Sequence, residues 1–141
     1  MATAARRYLL TMARKISGRG WFGAVFGMSA WLAVLAVLAT MRRARLGLFL
    51  TALAVIQCGG AMALTSLRAS WGASRALGWL VAGSALVALA ALVAVDLAGE
   101  MDWLRRFAAV GTGATISPYW FLLVFPALGW VVRHRRPDPS R

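Results

Sequence analysis

Four long runs without a charged residue govern what this chain can fold into. They are Trp21 to Met41, Leu46 to Leu67, Ala76 to Val95 and Phe107 to Val132, and the charge-free gap around each holds at least 20 residues. About 20 apolar residues, at a helical rise of about 1.5 Å, cross a hydrocarbon core of about 30 Å. Two such runs could form the buried centre of a soluble domain. Four of them in 141 residues leave too little polar sequence to cover them. Hydrophobic residues make up 61% of the chain, against about 45–50% in soluble domains. Lipid offers the backbone no hydrogen-bond partner, so each run must close its bonds internally as a helix, and the runs are too long for barrel strands. The expectation is an all-α integral membrane fold with four transmembrane helices in a small bundle. Their approximate spans are 21–41, 46–67, 76–96 and 112–132.

The ends of the chain are basic. Residues 1–20 carry five Lys or Arg and no acid. As a helix, residues 4–17 place Leu9, Met12, Ala13 and Ile16 on one side, with Arg7, Arg14 and Lys15 largely elsewhere. That pattern predicts a short amphipathic helix lying at the headgroup level. The run that follows is too long for a cleaved signal peptide and reads as a retained anchor. Residues 133–141 form a basic, proline-containing tail. The net charge of +12 would suggest nucleic acid in a soluble protein. Here the cations flank apolar runs, where they set topology and bind anionic lipid headgroups, so no nucleic-acid partner is expected.

Orientation follows from the segment charges. The N-terminal segment, the second loop and the C-terminal tail hold eleven basic residues, against five in the first and third loops. The positive-inside rule places both termini in the cytoplasm. Arg42, Arg43 and Arg45 of the first loop run against this count. A single Lys among 16 basic residues, with abundant Ala, suggests a high-GC bacterial genome, and hence the inner membrane of a bacterium.

Small and polar residues within the runs are the candidates for packing and binding. Gly23 and Gly27 make a G-x-x-x-G pair on one face of the first helix, a spacing that lets helix backbones approach. The second helix contains Gln57, Cys58, Gly59 and Gly60 near its middle. The Gln amide needs a hydrogen bond in hydrocarbon, which an interhelical partner beside a tight crossing would supply. A slightly unwound ligand site is the alternative. Gly78, Ala82 and Ala85 share a stripe on the third helix, with Ser84 beside it, as expected of a helix packed on protein. The fourth run is interrupted by Gly111-Thr-Gly113, and Ser117-Pro118 reads as a new helix start.

Three of the chain's four acids, Asp96, Glu100 and Asp102, fall within seven residues at the end of the third run. With Trp103, Arg105 and Arg106 they compose a membrane-interface patch. It reads as a solvated helix end with local arginine pairing, and alternatively as a cation-collecting or partner-docking surface. Catalytic constellations are missing. His134 is the only His and Cys58 the only Cys, so neither a bis-His haem site nor a Cys/His metal cluster can be assembled, and no glycine-rich phosphate loop occurs. No enzymatic activity, metal or cofactor is expected, while contact with lipid or pigment stays open. The leading functional expectation is an accessory subunit packing against partner transmembrane subunits of a larger complex, with an energy-transducing one among the candidates. The alternative is a small homo-oligomeric transporter or channel for an apolar or lipid-like substrate.

Overall fold

The computed structural model describes residues 18–113 and 117–134. The expected amphipathic helix over 4–17 and the tail beyond residue 134 lie outside the described residues. Those residues form α1 (Gly18–Arg42), α2 (Ala44–Trp71), α3 (Ala73–Leu97), α4 (Met101–Thr112), a 3-10 helix (Pro118–Leu123) and α5 (Val124–His134), with no strand among them. The Leu, Ala and Met that fill the long runs are strong helix formers. Three helices, α1 to α3, are long and apolar enough to cross a membrane. Each exceeds the expected span by a few residues at its ends. Gly18 to Gly20, counted with the basic N-terminal segment by composition, already belong to α1.

The connections are short. Arg43 alone, in an extended conformation, reverses the chain between α1 and α2. Gly72 alone reverses it between α2 and α3 at a φ of 84°, a value that a residue with a Cβ reaches only with strain. The Gly72 N–H donates to the Arg68 carbonyl at 3.2 Å and so closes the end of α2. These hinges force α1, α2 and α3 into an antiparallel row, with α2 packed along both neighbours. Two buried apolar clusters hold the row together. One, at the Arg68 end, is built on Trp21, Met28, Leu77, Leu80 and Phe125. The other, at the Arg42 end, is built on Leu32, Leu35, Leu50, Ala91 and Val95. The outer surface is apolar as well: Phe26, Leu48, Met62, Leu86 and Leu97 are all more than two-thirds exposed. Such a belt far exceeds the apolar patches tolerated on a soluble monomer, and it suits contact with lipid.

Where one crossing helix was expected over 112–132, the chain is in pieces. Gly113, in the left-handed region, ends α4, and its N–H donates to the Ala109 carbonyl at 2.8 Å. A 3-10 helix opens at Pro118 and gives way to α5 at Val124. Pro126 explains the change of helix type. An α-helix through this point would need a Pro126 N–H for the Leu122 carbonyl and would drive the ring into that carbonyl. With α5 beginning at Val124, Pro126 falls in its first turn, where no donor is required.

Candidate functional site

The candidate polar residues sort by the face that helix geometry gives them. Gln57 and Ser84 turn inward, 6% and 1% exposed. The Gln57 Nε2 donates to Ser84 Oγ at 2.6 Å across the α2–α3 interface. The bond joins two neutral groups between the two apolar clusters. Cys58, Gly59 and Gly60 follow round the helix and are exposed. The double glycine does not unwind α2, which is continuous from Ala44 to Trp71.

The candidate small residues face outward. A Cβ added at Gly23, Gly59, Gly60 or Gly78 would meet nothing within 4 Å, and one at Gly27 would only touch Leu128 Cδ1 at 3.9 Å. Ala82 is exposed on the same side of α3 as Gly78. The tight internal crossings use two other glycines. A Cβ at Gly47 would lie 2.5 Å from the Thr40 Cα of α1, and one at Gly129 would lie 2.7 Å from Val81 Cγ2 of α3. Composition gave no reason to choose these two. Each is an isolated glycine, and only the pairing of helices reveals its neighbour.

Trp21, which by position suits an interfacial anchor, is instead wholly buried. It lies one turn inside α1 and faces α2. Its indole N–H donates to Thr65 Oγ1 at 3.0 Å, and the Arg68 guanidinium sits 5.3 Å above the ring. A buried indole needs such a partner. Trp31, near mid-helix, donates instead to its own helix, at the Met28 carbonyl, 2.8 Å away.

The three acids separate into different roles. Glu100, in the turn between α3 and α4, accepts from Arg42 Nε at 2.9 Å and from Arg43 Nε at 3.0 Å. Its side chain is only 11% exposed. The Arg42 guanidinium also lies 5.2 Å over the Trp103 ring, a cation–π arrangement. The Arg42 hydrogen bond holds the Glu100 carboxyl below the ordinary carboxylate value; desolvation opposes it and Arg43 reinforces it. Asp102 makes only a loose pair with Arg105 at 3.6 Å, both well exposed. Asp96 accepts from Tyr119 Oη at 3.5 Å, the outer limit of such a bond. Local arginine pairing therefore describes Asp102. The stronger ion pairs of Glu100 are long-range and engage the first-loop arginines that ran against the topology count.

Next to this cluster is an apolar groove of about 360 Å³. Trp31, Leu35 and Leu38 of α1 form one wall, Leu92 of α3 the floor, and Leu104 and Phe107 of α4 the roof. The 3-10 helix closes its inner end, where Phe121 meets Trp31 edge-on at a centroid distance of 5.0 Å. α4 can form this roof because it is amphipathic. Leu104, Phe107 and Ala108 lie on one side, and Asp102, Arg105 and Arg106 on the rest. No group of three His, Cys, Asp or Glu placed to hold a metal occurs among the described residues. No family model matches the chain, and no curated protein or solved structure is significantly similar to it.

Proposed function

We propose that the chain is a non-catalytic, multi-pass protein of a bacterial inner membrane that serves as an accessory subunit of a larger membrane complex. One observation carries this reading: small residues face away from the bundle on all three long helices. Gly23 and Gly27 on α1, Gly59 and Gly60 on α2, and Gly78 and Ala82 on α3 are exposed, and the internal crossings do not use them. A lipid-facing surface has no need of glycine, and glycine weakens a helix interior by about 0.5–1 kcal/mol relative to Ala. Partner helices do need it, because association in lipid depends on close van der Waals approach.

The topology in this reading has four crossings. The 3-10 helix rises about 2 Å per residue and the α-helix about 1.5 Å, so Pro118 to His134 extends about 28 Å, close to the hydrocarbon thickness. Val132 packs on the same cluster as Trp21, so the chain returns to the end from which α1 started. The eleven-to-five distribution of basic residues puts that end in the cytoplasm. The opposite end holds Arg42 and Arg43, each paired with Glu100. The test replaces Gly60 and Gly78 with Leu, one at a time. Both variants should fold as the isolated chain does, and at least one should lose a co-purifying membrane subunit. Retention of that subunit by both would overturn the reading.

The apolar groove favours the second reading, a homo-oligomeric transporter or channel for an apolar or lipid-like substrate. Reconstituted flux that depends on Gln57, with Gln57→Leu as the control, would support it. Absence of flux in every oligomeric state would reject it.

A further inference from the structure

We propose that the cleft between the α1–α2 hinge and the end of α3 binds the phosphate of one anionic phospholipid, held by Arg43 and Arg45. The inference rests on the membrane placement proposed for α1 to α3 and not on any partner protein.

The cleft has a volume of about 530 Å³ and is lined by Arg43, Ala44, Arg45, Leu46 and Ala98. Two of these residues are cations and none is an acid. Glu100 accepts only from the Nε of Arg43, so the N–H groups on both Nη atoms of that guanidinium keep no partner among the described residues. The Arg45 side chain makes no hydrogen bond or ion pair among the described residues. The other acids at this end are engaged elsewhere: Asp96 accepts from Tyr119 Oη at 3.5 Å, and Asp102 pairs with Arg105 at 3.6 Å. Three cations, Arg42, Arg43 and Arg45, therefore stand against the single carboxylate of Glu100, and the surplus charge is at the cleft.

Chemistry selects a phosphate, because the planar fork of a guanidinium matches phosphate oxygens and the bonds it makes to them are charge-assisted. Position selects the source of that phosphate. α2 is long and apolar enough to cross a membrane and begins at Ala44, so Arg43 and Arg45 stand at the edge of the apolar span. Leu48 and Phe49 follow Arg45 by three and four positions and so share its face one turn further in. Both are exposed, and they offer contact to the acyl chains of a lipid whose headgroup fills the cleft. Inorganic phosphate has no such second contact, and exposed ion pairs alone are weak. A zwitterionic headgroup would bring its own cation to a cleft that is already positive, which favours an anionic lipid.

The test uses the purified full-length chain in mild detergent. Native mass spectrometry would measure retention of phosphatidylglycerol and of phosphatidylcholine with identical acyl chains. One phosphatidylglycerol per chain should be retained in preference to phosphatidylcholine. Arg45→Gln, which breaks no contact within the fold, should reduce that preference by about 5-fold, and Arg43→Gln with Arg45→Gln by about 30-fold. Arg45→Lys, which keeps the charge, should lose less than Arg45→Gln. Arg105→Gln with Arg106→Gln, at the same end but outside the cleft, should leave the preference unchanged. Equal retention of the two lipids, no effect of Arg45→Gln, or an equal loss at positions 105 and 106 would overturn the proposal. Displacement of the lipid by inorganic phosphate would make the cleft a site for a soluble anion and overturn the lipid as its occupant. A chain that stays dispersed without detergent would overturn the membrane placement itself, whereas the other failures leave that placement and the accessory-subunit reading standing.

Discussion

The most discriminating perturbation is a single methyl group, placed at Gly47 and, for comparison, at Gly60. Both glycines are inside α2, so by helix propensity alone either Gly→Ala change should stabilise the fold by about 1 kcal/mol. Their surroundings differ. A Cβ at Gly60 meets nothing within 4 Å, whereas at Gly47 it lies 2.5 Å from the Thr40 Cα and 2.7 Å from its Cβ. A backbone atom cannot rotate away, so α1 and α2 must separate. The one-residue hinge at Arg43, just four residues before Gly47, limits how far they can do so. Overpacking of this kind costs about 1–3 kcal/mol. Taking the upper value, because the clash is with backbone, and subtracting the propensity gain leaves Gly47→Ala destabilised by about 2 kcal/mol. That is about a 30-fold change in the unfolding equilibrium. Unfolding by SDS titration in mixed micelles, read by the fluorescence of buried Trp21, measures both variants. Gly60→Ala should shift the midpoint up and Gly47→Ala should shift it down. Equal shifts in the same direction would refute the α1–α2 crossing.

Three further outcomes follow from the same geometry. Gln57→Leu and Ser84→Ala should each destabilise the bundle modestly, and a double-mutant cycle should give a coupling of about 0.6 kcal/mol, the average for interhelical hydrogen bonds in lipid, and no more than about 1.7 kcal/mol; zero coupling would show that the 2.6 Å bond does not hold α2 against α3. Glu100→Gln should loosen the contact between the α1–α2 hinge and α4, seen as faster hydrogen exchange at residues 101–112. The folded-state pKa of Glu100 is lowered, so its contribution is present at neutral pH and is lost as the pH falls through that lowered value. The difference between Glu100→Gln and the unsubstituted protein should therefore vanish in acid, and a difference that grows in acid would contradict the sign. Pro126→Ala should let an α-helix run through residues 118–134 and shorten that segment by about 3 Å. Spin labels at positions 117 and 134 would measure it, and an unchanged distance would remove proline as the cause of the 3-10 turn.

The three long helices were legible in the sequence because charge-free length is a one-dimensional signal, and lipid leaves the backbone few alternatives. The Gln57–Ser84 partnership was half legible. The need of a buried amide for a partner is written in its chemistry, but the identity of that partner depends on how α2 and α3 face each other. The acids show the limit more sharply. Local spacing suggested that Asp96, Glu100 and Asp102 would pair with Arg105 and Arg106, yet Glu100 takes Arg42 and Arg43 from 58 and 57 residues away. The signal was present in the topology: alternating spans put the first and third loops on one side, and the first loop carried unexplained cations. The glycines were the least legible. Gly23 and Gly27 have the better motif, but Gly47 and Gly129 make the close internal approaches. A spacing rule records which helices can approach, and only the packed row records which do. The break in the last segment was visible at Gly113 and Pro118, but the 3-10 turn depends on Pro126 eight residues further on.

Native mass spectrometry of the protein extracted from its own membrane in mild detergent would decide whether the chain works beside larger subunits, as proposed above. The expected result is a complex of fixed stoichiometry with at least one larger membrane subunit, lost on Gly60→Leu or Gly78→Leu while the chain itself stays folded. A monomer or a homo-oligomer with no other protein, in the same extract, would contradict it.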